Sequence, residues 1–541
     1  MSFMRKLKRL IHKGGVKLGL VQQKSLSSIT DDPRIKVPAE EYDRIRKAKQ
    51  YYQDNLPKVE YWTTVGKQKR DLNSLNVLKS ASNALASLMF NERCSIKVND
   101  AALQKLLDEI FKENDYYLDQ ETHLETWIAL GSGVIRPYVE NDKIKLSWAN
   151  ATEVYPLEAN TTKVDQIAIS RRLQKIENNN AVYYTLLEFH QWGNWTTDEQ
   201  GRKYRPYIIT NELYRSGDPN TIGEQVPLDY VDEYAGLSST TTINYLEKPL
   251  FAFYRNAGAN NKNLVSPLGI GLCDNWFSTV DDINMVHDGF EWEVKTGYRR
   301  VSIPRSWVRR QQNMNGHQIP EDQQYFWDPN DAVFVPVNSK DDTSSFKDLS
   351  INIRNEQYEG AMDFFLRELE NDLKLSPGTF TVTPSGVQTA TEVVTNNSKT
   401  YQTRSSYLTM LEKTIDQLVY AIAELLQNGD LWSDGKARWN GDIDSLVITP
   451  DFNDGVFVDQ EAQRSADLQA VQASVMPKIQ FIMRNYDLSE EEAKKWLQQI
   501  QDEQSPTPPD QEMSMFPGEG GVNREQEDNS SSNDAESGSN S

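Results

Sequence analysis

The chain has 541 residues, 38% of them apolar, and a formal net charge of −21. This length predicts two or three packed domains, and the acidic balance argues against a protein that grips nucleic acid through its phosphates. The longest apolar runs are too short to span a membrane, and two cysteines are too few for a disulfide framework. We therefore expect no membrane partner and a reducing compartment.

The first half of the chain predicts helices followed by an antiparallel sheet. Residues 1–20 carry six basic and no acidic residues, which we interpret as a solvated terminal helix; a membrane-surface helix and a nucleic-acid arm are the alternatives. Helical patterns follow as far as Gly131-Ser132-Gly133. That sequence lacks the Lys-Ser/Thr of a phosphate loop, so we expect it to end a helix and open a hairpin. Strand patterns run from Val134 to Tyr254.

Two amphipathic helices flank a small insertion in the middle of the chain. The first is predicted from Pro267 to Thr296 and the second from Asn355 to Leu375, and their similar lengths favour an antiparallel pair. Residues 297–354 between them are predicted to be rich in strands. The first part of this insertion, Gly297 to Arg310, contains five arginines: Arg299, Arg300, Arg305, Arg309 and Arg310.

A loop and an unusually long helix follow. Residues 376–387 contain breakers at both ends and a small, polar, chargeless middle, which predicts a segment that moves without losing much burial. Thr389 and Glu392 form a capping-box pattern for a helix from Gln388 to Asn428. Its second half carries an apolar seam. Residues 395–406 are polar on every side, so we expect them to lie against a polar surface, a neighbouring subunit or water.

The last part of the chain predicts a small helical region and a tail. Residues 429–504 contain one short strand and two helices. Residues 505–541 are rich in Pro, Ser, Gly, Asn and acidic residues, with eight acidic against one basic. This composition predicts disorder.

The loop and the sequence TATEVVTNNSKTYQTR that follows it (Thr389 to Arg404) resemble the tunnel loop and long helix of phage portal proteins. The resemblance is to the portals of long-tailed phages of Gram-positive bacteria, and it is strongest from Pro267 to Gly429. It implies a cyclic homo-oligomer, usually of twelve subunits, at one vertex of the capsid, with a central channel for DNA.

The resemblance implies an α+β portal-like fold whose parts follow the predicted elements. They are a wing (1–266), a stem helix (267–296), a clip (297–354), a second stem helix (355–375), a tunnel loop (376–387), a long spine helix (388–428), a crown (429–504) and a disordered acidic tail (505–541).

The resemblance also implies roles for particular residues. We expect the loop to contact DNA in the channel through Thr379, Thr381, Thr383, Ser385 and Gln388. Hydroxyl groups suit this role because they make exchangeable contacts with phosphates, whereas lysines would bind and add drag. The subunit interface is expected to include Asn396, Lys399, Tyr401 and Arg404. The five arginines of the clip are expected to dock partner proteins.

The implied partners are the other subunits of the ring, the large subunit of terminase, a head–tail adaptor, and the major capsid and scaffolding proteins. Double-stranded DNA passes through the channel during packaging and ejection and is not read for its sequence. The implied location is the portal vertex of the virion, after synthesis in the host cytoplasm.

The sequence contains no recognisable catalytic or metal-binding motif. The five histidines are scattered, and neither a Walker A loop nor a GxSxG elbow is present. We therefore expect a non-enzymatic protein without cofactors or metals. Another virion connector protein is one alternative. A metal-dependent hydrolase of nucleic acid is the other; it would need clustered carboxylates, for which Asp281 and Asp282 are weak candidates because neighbouring helical residues point to different sides.

Overall fold

The computed structural model describes residues 24–63, 66–91, 93–158, 163–297, 301–304, 334–337, 347–348, 351–381, 397–452, 460–486, 488 and 490–504. The chain divides into two compact units, Met1–Phe457 and Val458–Ser541. The first unit combines helices with antiparallel sheets, and the described part of the second is helical. This agrees with the predicted α+β class.

Seven helices are described in the first unit and three in the second. In the first unit they are α1 (Ala39–Tyr52), α2 (Val77–Met89), α3 (Ala101–Glu113), α4 (Tyr116–Leu130), α5 (Phe277–Thr296), α6 (Asn355–Asp372) and α7 (Ser398–Gln427). In the second unit they are α8 (Gln460–Gln472), α9 (Lys478–Tyr486) and α10 (Glu490–Gln504).

The described strands all belong to the first unit. They are β1 (Ser25–Leu26), β2 (Val59–Thr63), β3 (Gly66–Arg70), β4 (Ser95–Val98), β5 (Ser132–Glu140), β6 (Lys143–Asn150), β7 (Val154–Pro156), β8 (Ile167–Glu177), β9 (Asn180–Trp192), β10 (Thr196–Thr197), β11 (Lys203–Tyr204), β12 (Tyr207–Ser216), β13 (Gly223–Val226), β14 (Thr240–Ile243), β15 (Ala252–Arg255), β16 (Val301–Pro304), β17 (Phe334–Val337), β18 (Lys347–Asp348) and β19 (Ile448–Asp451).

Two antiparallel sheets organise the predicted wing region. The larger has seven strands in the order β1-β13-β12-β9-β8-β7, with β14 also paired to β12. Its centre is the long pairing of β8, β9 and β12, where Leu187 and Phe189 face the core. The smaller sheet has the order β15-β5-β6. The alternating strand patterns predicted from the sequence are therefore confirmed as antiparallel pairs.

Helix α4 ends and the hairpin β5–β6 begins at Gly131, as predicted. Gly131 has φ +97°, and its N–H donates to Trp127 O. A Cβ at this position would lie 2.4 Å from Gly269 O, so both the turn and the close backbone approach require glycine. The helix end thus brings the start of β5 against the segment that leads to α5.

The predicted stem helices form an antiparallel pair, but the first starts later than predicted. Gly289 and Phe290 lie against Tyr358, and Glu293 forms an ion pair with Arg354 (2.9 Å). Helix α5 begins at Phe277, ten residues after the predicted start at Pro267. The intervening residues are held as turns because Asn256 donates to Ile270 O and Asp274 accepts from Gly271 N–H.

The second half of α7 is the central helix of the first unit. Its predicted apolar seam is confirmed: Leu411, Ile415, Leu418, Ile422 and Leu425 are all buried, and Leu408 at the start of the seam is half-buried. The helix also covers the free edge of β15. Gln417 Oε1 accepts from Phe253 N–H (2.8 Å), and Thr414 Oγ donates to Phe253 O (3.4 Å). The predicted start of this helix, Gln388, lies outside the described residues.

One buried carboxylate near the end of α7 ties the helix to the preceding loop. Glu424 accepts hydrogen bonds from the N–H groups of Glu247 and Lys248, both at 2.7 Å. Burial raises the pKa of Glu424 to about 7, and the two N–H donors offset only part of this effect.

The two compact units do not divide at residue 429, where the crown is predicted to begin, and the crown itself stays a prediction. Residues 429–452 belong to the first unit, and the division falls between Phe457 and Val458. The reason is a strand pairing of distant segments: β19 pairs with β4 in antiparallel register, and Trp432 and Trp439 are buried in the same core. In the second unit, Asp467 of α8 accepts from Asn485 Nδ2 of α9 (3.0 Å), and Tyr486 lies against Trp496 of α10.

None of the described helices is both long enough and apolar enough to cross a membrane.

Candidate functional site at the base of the loop before the long helix

The segment between α6 and α7 is where the sequence places the channel loop. The structure describes its first part as far as Thr381 and resumes at Asn397, so it shows the base of the loop and the start of the long helix. Lys374 adopts φ +56° directly after α6, and this turn directs the chain toward α7. Two sets of hydrogen bonds then join the end of α6, the base of the loop and the start of α7.

The first set is centred on the carboxylate of Glu370, in the last turn of α6. Glu370 is only 1% exposed. Its Oε1 accepts from the backbone N–H groups of Gly378 (3.2 Å), Phe380 (2.7 Å) and Thr381 (3.0 Å). The Thr381 hydroxyl lies 3.1 Å from Oε1 and 3.2 Å from Oε2. A buried charge with this many donors is compensated, and it fixes the backbone of the loop base.

The second set joins the loop base to the first turn of α7. Ser376 N–H donates to Thr400 Oγ (2.8 Å), and Thr400 N–H donates to Ser376 Oγ (3.2 Å). The cap residue of α7, Asn397, makes no side-chain cap bond of its own. Ser376 therefore caps the helix from another segment, since it satisfies one of the N–H groups that a helix start leaves without an internal partner.

A third contact extends this junction by one helical turn. Thr403 Oγ donates to Lys374 O (2.8 Å), and Lys399 Nζ donates to Asn371 Oδ1 (3.2 Å). Thr400 and Thr403 are both buried. The two threonines lie on the same side of α7 because they are three residues apart.

These contacts correct the prediction that the loop is weakly held throughout. Residues 376–381 are anchored, because Ser376 and Thr381 are buried and the Thr379 hydroxyl donates to Ser376 O (2.7 Å). Short-range hydrogen bonds and a distant carboxylate produce this anchoring, and composition alone does not reveal it. The role of Thr379 and Thr381 in DNA contact stays a prediction. Thr383, Ser385 and Gln388 lie outside the described residues.

The polar start of α7 also lies against other segments of the first unit. Arg404 Nε donates to Leu88 O in the last turn of α2 (2.6 Å), and its Nη2 donates to Phe452 O (2.9 Å). A cation at a helix C-terminus offsets the negative end of the helix dipole. Of the three surroundings expected for this segment, the structure shows a polar surface of the same chain for Thr400, Thr403 and Arg404. In the first turns of α7, polar side chains make the contacts that hold the helix to the rest of the unit.

The predicted subunit contacts divide by their position on α7. Lys399 is exposed and Tyr401 is half-buried, whereas Arg404 binds carbonyls of its own chain. Asn396 lies outside the described residues. The outward face of these turns carries small or polar residues only, namely Ser398, Lys399, Gln402, Ser405, Ser406 and Thr409. The interface role of this face stays a prediction.

Sequence reasoning missed Glu370 as the anchor. The position of Glu370 in the helix could have indicated this role. It directly follows buried Leu369 and precedes buried Leu373 by one turn, so its carboxylate lies on the apolar side of α6. The five arginines of the predicted clip to which docking is assigned lie outside the described residues: Arg299, Arg300, Arg305, Arg309 and Arg310. The structure describes only three short strands of that insertion: β16 runs parallel to β17 and antiparallel to β18.

No metal centre forms among the described residues, where no group of three or more His, Cys, Asp or Glu side chains is placed to hold an ion. Of the two candidate carboxylates, Asp281 accepts a hydrogen bond from the Tyr51 hydroxyl (2.8 Å).

Comparison with known proteins gives one family match and several distant structural ones. Residues 32–506 match the family "Phage portal protein, SPP1 Gp6-like". Two similar solved chains come from gene transfer agent (GTA) particles. One is from the neck of an empty GTA particle computed with C6 symmetry (9% identity, TM-score 0.36, covering 75% of this chain and 91% of that chain). The other is from the virion of a native GTA particle (10% identity, TM-score 0.35, covering 79% of this chain and 94% of that chain).

A third similar chain is from the neck of a native GTA particle computed with C12 symmetry (10% identity, TM-score 0.33, covering 79% of this chain and 89% of that chain). Similarities this low carry no argument about this chain. No curated protein matches the sequence. The family match covers most of the chain and includes the loop base, α6 and α7. The chain belongs to the phage portal protein family.

Proposed function

We propose that this protein is a non-enzymatic subunit of a closed ring at the portal vertex of a phage capsid, usually of twelve copies, through which double-stranded DNA is packaged and ejected. Membership of the portal family supports this role. In this proposal the terminase large subunit supplies ATP hydrolysis. The capsid and scaffolding proteins and a head–tail adaptor bind the outside of the ring.

The observation that carries the ring is the exposed apolar surface of the two paired helices. Of the eighteen residues of α6, only Leu369 and Glu370 are buried. Phe364 on α6 and Met285 on α5 are each 62% exposed. Apolar side chains exposed on long, regular helices are typical of a surface that another subunit covers. When each copy presents two different surfaces to its two neighbours, the contacts close into a ring if the rotation between copies divides a full turn evenly.

The ring is tested by placing a charge on this surface. We expect Phe364→Asp combined with Met285→Asp to shift the protein from rings to monomers at micromolar concentration, because a buried, unpaired carboxylate costs several kcal/mol at each interface. Native mass spectrometry and negative-stain imaging give the readout. Ile176→Asp is a control, since Ile176 is exposed on β8, a strand of the seven-stranded sheet. Closed rings formed by the double variant would contradict the proposed interface.

A further inference from the structure

A cleft of about 720 Å³ in the first unit has no role in the proposed channel. It lies between the β10–β11 hairpin, the loop before β15 and one side of α7. Its wall is aromatic, with Trp192, Trp195, Tyr204 and Tyr245 among its residues. Trp195 is 69% exposed and Tyr245 is 50% exposed. A cleft of this volume is the usual size for a small ligand or a short peptide segment.

The aromatic wall is a fixed arrangement. The Tyr204 and Tyr245 rings lie 4.5 Å apart, and the Tyr245 hydroxyl donates to Asp198 (3.0 Å). Tyr245 has φ +65°, a backbone conformation that bulky residues rarely adopt. The chain thus holds an exposed tyrosine in a strained conformation beside the cleft, and such strain clusters at binding sites.

Two cations in the cleft have no acidic partner among the described residues. Arg205 is held by its Nε–H bond to Gly193 O (3.1 Å), and its guanidinium lies 5.7 and 5.8 Å from the ring centres of Trp192 and Trp195. No carboxylate of the part of the chain that the structure describes pairs with Arg205 or with its neighbour Lys203, although most other cations here have one. In a chain of net charge −21, an exposed lysine beside an arginine that lies near two tryptophan rings forms a local site for an anion.

The carboxylates of the cleft narrow the class of ligand. Glu158, Asp165 and Glu247 also line it. Glu158 already accepts from Asp165 N–H (3.3 Å) and from Gln166 Nε2 (2.9 Å). Asp165 is paired with Lys163 (3.5 Å), so Glu158 and Glu247 are the carboxylates that oppose a continuous polyanion such as DNA, whose phosphates are too closely spaced to avoid them. A peptide can place one or two carboxylates at Lys203 and Arg205 and an apolar or proline side chain on the rings.

From this geometry we propose that the cleft binds an extended acidic segment of a partner protein. Lys203 and Arg205 take the carboxylates, and the rings of Trp195 and Tyr245 pack against the neighbouring side chain. Rigid aromatic side chains beside an arginine are typical of the strongest contacts in protein interfaces, because they lose little conformational entropy on binding. This inference does not depend on the ring.

The test measures binding of the full-length protein to an array of synthetic twelve-residue peptides. Their net charge ranges from −6 to +6 and their proline content from none to four, and a 20-base-pair DNA duplex is included. We expect binding that increases with carboxylate number and weakens at high salt. Lys203→Gln combined with Arg205→Gln should weaken binding of the tightest-binding peptide at least tenfold. Lys105→Gln with Lys112→Gln, an exposed pair on α3 with the same change in charge, should leave it unchanged.

Two further variants separate binding from folding. Lys203→Gln alone removes an exposed cation without touching the hydrogen bond of Arg205. Tyr245→Gly removes the ring at a position whose backbone suits glycine. Both variants should keep the thermal unfolding midpoint near the parent value and bind the peptide several-fold more weakly. Binding independent of peptide charge, tighter binding of the duplex, or a changed oligomeric state in the Lys203→Gln variant would each overturn the proposal, the last by assigning the cleft to contacts between copies.

Discussion

At the residue scale, the anchoring carboxylate of the loop base is the most consequential side chain that the structure reveals. Glu370 accepts from three backbone N–H groups and one hydroxyl, and of these N–H groups Gly378 also donates to Thr381 Oγ (3.2 Å). Glu370→Gln keeps the shape but replaces one acceptor oxygen by a donor. We expect the free energy of unfolding to fall by roughly 1–3 kcal/mol, which is the cost of leaving buried polar groups unpaired.

Chemical denaturation measures this loss, and hydrogen exchange at the amides of Gly378, Phe380 and Thr381 locates it. Glu368→Gln is the matched control because Glu368 lies on the exposed side of the same helix. Unchanged exchange at these three amides in the Glu370→Gln variant would show that the carboxylate does not hold the loop base.

A second prediction at this scale concerns the pH dependence of stability. Glu424 has a folded-state pKa of about 7, above the ordinary value of 4.5. The folded protein therefore binds a proton more tightly than the unfolded chain does, and stability is lost as the pH rises from about 4.5 through 7. Glu424→Gln cannot ionise, so its stability relative to the parent should increase over this range by up to about 3 kcal/mol.

Denaturation midpoints at pH 5 and pH 8 check this expectation. Glu412→Gln, an exposed residue of the same helix, should show no such difference between the two pH values. If the stability difference between the Glu424→Gln variant and the parent is the same at both pH values, Glu424 ionises normally in the folded protein.

At the scale of elements, the anchored loop base changes which part of the loop is suited to act in the channel. Residues 376–381 are tied to α6 and α7, so a moving segment has to lie beyond Thr381. Deleting Thr379 to Pro384 would remove part of the anchor together with the segment beyond it. Deleting residues 382–387 leaves the anchor intact and is the sharper experiment.

We expect that deletion to leave rings assembled while DNA packaging or retention fails, because the channel loses its contact with the polymer. Replacing the same six residues by Gly and Ser preserves the length and tests whether their chemistry matters. Negative-stain imaging reports assembly, and nuclease-protected DNA in capsids reports packaging. Capsids that fill and hold DNA normally with the deletion would exclude a channel role for this segment.

At the scale of the whole molecule, the arginines of the predicted clip provide a test of docking. Arg305→Ser, Arg309→Ser and Arg310→Ser together should leave rings intact but reduce attachment of the motor or the tail, because charge complementarity speeds and orients protein association. The control variant makes the same change in net charge at exposed positions far from the clip in the sequence: Lys97→Ser, Lys105→Ser and Lys112→Ser. Co-sedimentation of the terminase large subunit with rings gives the readout. Equal attachment and infectious yield for both triple variants would refute a docking role.

The sequence by itself determined the elements whose pattern is local. The apolar seam from Leu411 to Leu425, the helix stop at Gly131 and the alternating strands after Val134 all depend on neighbouring residues, so periodicity and turn chemistry are sufficient to predict them. The family resemblance also rested on a local stretch, from Thr389 to Arg404.

Only the tertiary structure decided which polar side chains are used within the chain. Glu370, Thr400 and Arg404 bind groups that lie 8 to 316 residues away in the sequence. The same is true of the boundary near residue 457, which follows from the pairing of β19 with β4. A polar residue on a helix has the same local pattern whether it faces water or a distant backbone donor. The burial that distinguishes these two cases exists only once the segments have packed together.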